Sequence, residues 1–316
     1  MIMNLKKLCI STLVLFPFCL QAKEVKPVDL KEIKHPVKPL LWKIEGQGLT
    51  KPSYLFGTIH LSDPRMTTLH PLAQQAFDQA EAVYTEIDLS PEGQMKTLPF
   101  YMRKEGKTLE EIVGKEMVAA LDTELKQINP ALDSKPFEKL KLWAITFALP
   151  QLKSQMQGQK SLDLQLWERA KKAGKKTAAL ETLEGQLGKF EQFTMEDQKE
   201  LFTTTLKMMK LAREKGVNLH QQIIDGYLLA DQEALEKEMS KTSYMGLKIH
   251  SETQKKFMDL LLNQRNKGMA KTIQKALEKP DTGSRFFAAG TLHYIGDQSV
   301  NSLLIKAGYK VSLVTK

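Results

Sequence analysis

Near both ends of the chain, apolar residues either alternate with polar ones or run together in short unbroken stretches, whereas the middle repeats them at helical spacing. Residues 40–45, Leu-Leu-Trp-Lys-Ile-Glu, alternate as a strand. Gly46-Gln47-Gly48 and Lys51-Pro52-Ser53 break it, and 54–58 form a second strand, so the two predict a hairpin with a long loop. Residues 70–82 read as a helix and 82–88 as the next strand, completing a βαβ unit in which parallel pairing is right-handed. Helical spacing then covers 109–128, 135–149, 161–173, 195–215, 221–229, 232–239 and 247–277, the last interrupted near Gly268, with a short strand at 177–180. Residues 285–289 and 309–314 are the closing strands, joined by a helix over 299–307 that stops at Gly308. The pattern predicts an α/β fold: a mixed, mostly parallel sheet built from both ends of the chain, with a large helical insertion at about 100–280.

Ahead of this lies a stretch that reads as a secretory signal over residues 1–22. Lys6 and Lys7 form a basic start, 8–20 are apolar, and Ala22 is the expected cleavage residue, although Leu20 at the −3 position is larger than cleavage prefers. The apolar run is shorter than the ~20 residues a spanning helix needs. A cleaved chain would be periplasmic or secreted, and any membrane contact would come through an uncleaved signal. Phe16-Pro17-Phe18 ahead of Cys19 argues against a lipoprotein. Cys9 and Cys19 are the only cysteines, so residues 23–316 can form no disulfide, thiol nucleophile or thiolate metal site. Cleavage would remove two lysines and no acid, taking the net charge from +9 to +7. The remaining lysines are scattered along helical stretches without interleaved aromatics, which argues against a nucleic-acid partner.

One motif occurs twice. Residues 54–60 end in Gly57-Thr58-Ile59-His60 and residues 286–293 in Gly290-Thr291-Leu292-His293, each delivering a histidine just beyond a buried strand, where α/β folds build sites. We expect the two copies to meet. Glu86, at the end of an otherwise apolar strand, joins them if strands 54–58 and 82–87 are neighbours, and two imidazoles with a carboxylate suit a divalent transition metal such as zinc. A salt bridge at a strand end would account for Glu86 equally well. Glu181 repeats its strand-end placement and is a further ligand or supporting residue. Arg265, beside Asn266 on a long amphipathic helix, is either a surface arginine or a group that orients a substrate carboxylate or stabilises an oxyanion. Gln186 and Asp163 are weaker, and helix capping accounts for Asp163. His35, His70, His220 and His250 read as surface residues. There is no His-Glu-x-x-His, Gly-x-Ser-x-Gly, complete phosphate loop or dinucleotide fingerprint.

The ordered set Tyr54-Leu55-Phe56-Gly57-Thr58-Ile59-His60, Tyr84-Thr85-Glu86-Ile87-Asp88, Leu180-Glu181-Thr182-Leu183-Glu184-Gly185-Gln186, Arg265-Asn266 and Ala289-Gly290-Thr291-Leu292-His293 resembles the TraB/GumN family, which includes the Tiki proteases. The resemblance covers nearly all of residues 23–316. It implies an α/β fold related to the erythromycin esterase and ChaN-like group, and a site of the two Gly-x-x-His motifs, a glutamate and an arginine. On this chain those are His60, His293, Glu86 with Glu181 as competitor, and Arg265. It also implies manganese or cobalt as cofactor and a peptide or protein substrate. The expected function is a metal-dependent hydrolase acting on peptides: His60, His293 and Glu86 bind metal, and Glu86, Glu181 and Arg265 are the catalytic candidates. Two alternatives come from other classes: a peptide-sequestering module, and a haem- or iron-handling protein like the ChaN-like relatives.

Overall fold

The computed structural model describes residues 30, 32–66, 68–104, 106–230, 243, 244, 247, 248, 251–278 and 283–315. The expected signal segment, the helix at 232–239 and His250 lie outside them. Strand β1 (Leu41–Glu45) and strand β2 (Ser53–Thr58) form the expected antiparallel hairpin, with Leu41 opposite Phe56 and Ile44 opposite Ser53. Gly46, Gln47 and Gly48 all take positive φ at the turn, a run that glycine on both sides makes inexpensive. Helix Pro71–Gln79 follows, with proline at its first position and the His70 ring capping the Leu72 N–H. It leads to strand β3 (Ala82–Thr85), and strand β4 (Lys176–Ala179) pairs parallel to β3. Strands β5 (Ser243–Tyr244) and β6 (Leu247–Lys248) make a separate two-stranded pair. Strands β7 (Arg285–Gly290) and β8 (Lys310–Leu313) return to the main sheet.

The six-stranded order is β4-β3-β7-β2-β1-β8. Strands β4, β3, β7 and β2 run parallel, and β1 lies antiparallel to both β2 and β8. The sheet is thus mixed and mostly parallel; five strands come from the two ends of the chain, as expected, and β4 is contributed from within the stretch expected as a helical insertion. One expectation changes: β2 and β3 are not neighbours, because β7 lies between them. Every residue of β7 is buried and Phe286, Phe287, Ala288 and Ala289 have no exposed surface, so this strand takes a central position where both faces are covered. Phe77 from the helix after β2 meets Phe286 edge to face at 5.5 Å. Each phenylalanine buried this way contributes about 1.5–3 kcal/mol.

A second apolar cluster lies among the helices, where Trp143 stacks on Phe190 at 4.6 Å and is buttressed by Tyr101. Within it the stretch expected as one helix over 135–149 splits into a short turn at Lys135–Phe137 and helix Leu142–Ala148. The long helix late in the chain is interrupted at Asp259–Asn263, a π-helical turn, rather than at Gly268, through which helix Gln264–Leu277 runs unbroken. The widened turn places Leu260, Leu261 and Leu262 in the interior together. Arg265 follows one turn later.

Candidate active site

Placing β7 between β2 and β3 brings three strand ends to one rim. Gly57 is required there by contact: a Cβ would stand 2.7 Å from Thr291 Oγ1 and 3.2 Å from the Thr291 Cα, so only a bare backbone lets the two motifs touch. The motif threonines do different work. Thr291 Oγ1 donates to the Thr58 carbonyl at 2.9 Å and ties the copies together, while Thr58 Oγ1 donates to Asp163 Oδ1 at 2.6 Å.

Glu86 stands between the two histidines, 4 % exposed. Its Oε1 accepts the Gly290 N–H at 2.7 Å and lies 3.2 Å from His60 Nε2 and 3.8 Å from His293 Nε2. Its Oε2 accepts from Arg265 Nη2 at 2.5 Å and Gln186 Nε2 at 3.0 Å. The Gly290 amide of the second motif thus holds the carboxylate that both rings face. Burial would raise the Glu86 pKa, but the charges of Arg265 and His60 outweigh it and hold the group well below the usual carboxylate range.

Arg265 is 2 % exposed and fully engaged. Besides Glu86 it donates from Nη2 and Nε to Glu181 Oε1 at 2.7 and 2.9 Å, and from Nη1 to the Leu261 carbonyl in the π turn at 3.2 Å. The two glutamates outweigh the effect of burial and raise its pKa further. Glu181 binds this guanidinium rather than the rings. Burial pushes its pKa up, with the Glu86 charge adding to the rise and Arg265 opposing it.

The two rings are oriented differently on their Nδ1 sides. His293, without exposed surface, has Nδ1 2.6 Å from Asn266 Oδ1, and Asn266 Nδ2 donates to the Gln298 carbonyl at 2.9 Å. That network puts the proton on Nδ1 and leaves Nε2 with a bare lone pair. Burial and the Arg265 charge, against the pull of Glu86, lower the His293 pKa to about 3, so the ring is neutral. His60 Nδ1 lies 2.8 Å from Asp163 Oδ2, an ion-pair contact off the line of an aligned hydrogen bond. Burial would lower the His60 pKa, but Asp163 and Glu86 override it and raise it to about 10. Neither Nε2 atom has a hydrogen-bond partner.

The structure therefore brings His60, His293, Glu86, Arg265 and Glu181 together, and adds Asp163, Gln186 and Asn266. Asp163 looked like a cap because it lies in the first turn of helix Leu162–Lys172, whereas Ser161 is the cap and Asp163 is 3 % exposed beneath His60. Nothing local in the sequence marks a contact 105 residues away. Of the other histidines, His70 caps its helix with His35 against its ring at 5.2 Å, and His220 is half-buried. His60 also lines a cavity of about 390 Å³.

Among the described residues, no group of three His, Cys, Asp or Glu side chains is arranged so that it could hold a metal ion as it stands. The donor types, two imidazoles and a carboxylate, are nonetheless those a divalent transition metal takes. His293 Nε2 offers a lone pair, and His60 Nε2 would offer a second once an incoming ion displaced its proton; the two face one carboxylate oxygen at 3.8 and 3.2 Å, and neighbouring ligands of a tetrahedral ion stand roughly 3.4 Å apart. Each ring is held through its other nitrogen, as supporting partners of metal ligands hold them.

Sheet and rim define the class: an α/β protein with a buried pair of histidines and a glutamate–arginine network at the carboxyl ends of its parallel strands. The chain belongs to the TraB/PrgY/gumN family, whose profile matches residues 40–313. It is 24 % identical to the Metalloprotease TIKI2 of Danio rerio, over 90 % of this chain and 62 % of the relative. It is 22 % identical to the Metalloprotease TIKI2 of Xenopus tropicalis over the same shares, and 23 % identical to the Metalloprotease TIKI homolog of Nematostella vectensis, over 87 % of this chain and 66 % of that protein. The chain thus spans less than two thirds of the length of the TIKI2 relatives. No solved structure matches it.

Proposed function

We propose that the protein is a metal-dependent peptidase. The observation that carries this reading is the pair of unpartnered Nε2 atoms converging on Glu86 Oε1, and the named metalloprotease relatives support it. His60, His293 and Glu86 would hold the ion. A bound divalent metal supplies an activated water near neutral pH and polarises a scissile carbonyl. The chain's own groups prepare the site. Asn266 fixes the His293 tautomer, Asp163 holds His60, and the Gly290 N–H, Gln186 and Arg265 clamp Glu86 in one orientation. All the Arg265 contacts are internal, so its role is to position Glu86 rather than to meet substrate. The cavity beside His60 admits the peptide. The apolar leader would export the protein, and the absence of cysteine from residues 23–316 is compatible with that; among the described residues no helix is long and apolar enough to cross a membrane.

The test is digestion of a random peptide library by purified protein loaded with manganese, cobalt or zinc. Cleavage that stops on chelation and in His293→Ala is expected. Intact peptides together with no retained metal would sink the proposal.

A further inference from the structure

One buried polar group beside the site has no task in this mechanism. The cavity lined by His60 falls within the size range of ligand pockets. Its wall carries the side-chain amides of Gln94, Gln151, Gln155 and Gln159 with Ser154, and contains no aspartate or glutamate. Lys160, the wall's lysine, is bound to the Glu168 carboxylate at 2.7 and 2.8 Å. His60, the other cationic group of the wall, stands against the Asp163 and Glu86 carboxylates, so the lining is close to neutral as well as rich in amides. Gln151, at the end of the short turn Leu149–Gln151, is 4 % exposed, and its Nε2 has no hydrogen-bond partner. A buried amide donor is normally paired, because leaving it unpaired forfeits its hydration without return.

We propose that this cavity is a subsite for an uncharged stretch of peptide main chain, with Gln151 Nε2 donating to a carbonyl oxygen of the bound segment. The assignment of a peptide rests on the hydrolase reading; the assignment of the subsite rests on the wall. An anionic ligand would find Lys160 and His60 each already paired with carboxylates, a cationic ligand would find no carboxylate on this wall, and an apolar ligand would leave Gln151 unmatched. A main chain offers alternating carbonyls and N–H groups that such amides complement. The cavity adjoins another of about 570 Å³ that shares Ser62, Ser154 and His220 and whose wall carries Asp63, Glu124, Lys153 and Arg213, so the groove has room for more than one residue of an extended segment while the uncharged subsite is confined to the part beside Gln151.

The experiment uses the full chain, treated with chelator so that nothing is cleaved and labelled with ¹⁵N-glutamine. The probes are acetylated, amidated decapeptides: a pool of uncharged residues, and matched oligo-glutamate and oligo-lysine peptides. The expected result is that the uncharged pool binds best and shifts the Gln151 side-chain amide signals, identified by their loss in Gln151→Leu. That variant should bind the pool about 3- to 10-fold more weakly, the range for one neutral hydrogen bond. Unmoved Gln151 signals during binding, equal affinity in the variant, no binding of the uncharged pool, or tighter binding of a charged peptide would each overturn the proposal. If Gln151→Leu does not fold, the wild-type signals, assigned with Gln151→Glu, decide. Metal is then restored. Peptide that shifts Gln151 yet stays uncut refutes the hydrolase reading while supporting the subsite.

Discussion

The two Gly-Thr-x-His copies share a motif and a carboxylate, yet their histidines are opposites. His60 rests against the Asp163 carboxylate and its pKa rises to about 10; His293 rests against the Asn266 amide and its pKa falls to about 3. Both rings are buried, so burial does not separate them. The atom facing Nδ1 does, together with the closeness of Arg265 to the second ring. A repeated motif therefore fixes where a histidine goes but not its charge. The charge comes from residues outside the motif.

The strongest way to break this contrast is to remove the group that holds the shared carboxylate. Arg265→Ala would leave Glu86 and Glu181 buried without their cation, and is expected to cost about 3–5 kcal/mol in urea unfolding. Arg265→Lys should recover only part of this, since one ammonium cannot reproduce the forked contacts. A sharper test makes the first copy resemble the second. In Asp163→Asn the His60 pKa should fall toward that of His293, seen by NMR titration of the imidazoles, with a 10- to 100-fold loss of metal affinity or activity. The smallest effect per step appears in stability against pH for metal-free protein, at most about 1.4 kcal/mol per pH unit for each proton. Because the folded His60 pKa is raised, its stabilisation is complete below about 6.5 and is lost as pH rises through about 10. Because the folded His293 pKa is lowered, its contribution is complete above about 6.5 and is lost as pH falls toward about 3. Chemical denaturation across pH should show His60→Gln altering the alkaline side and His293→Gln the acidic side; the same side responding to both would refute the contrast.

Much of this was legible in the sequence because the strands are short apolar runs closed by glycine, and a doubled motif stands out against them. The βαβ reading of residues 54–88 was sound for element type and failed for adjacency, since alternation says which face is buried but not which strand comes next. Asp163 was hidden for a related reason. Its first-turn position has a sufficient local explanation, and its partners Thr58 and His60 lie about a hundred residues earlier. The π turn at Asp259–Asn263 had no signal, because Leu260-Leu261-Leu262 suits an ordinary helix equally well.

The central place of β7 has a further consequence for biosynthesis. A nascent chain that has emerged only as far as residue 284 has strands for both flanks of the gap and nothing to fill it, so the rim cannot close and the second imidazole does not yet exist. Long-range parallel pairing of this kind forms late and slowly. For a proposed peptide-cutting protein that delay would act as a safeguard: the site stays incomplete until β7 and the second motif have been made and threaded between their neighbours.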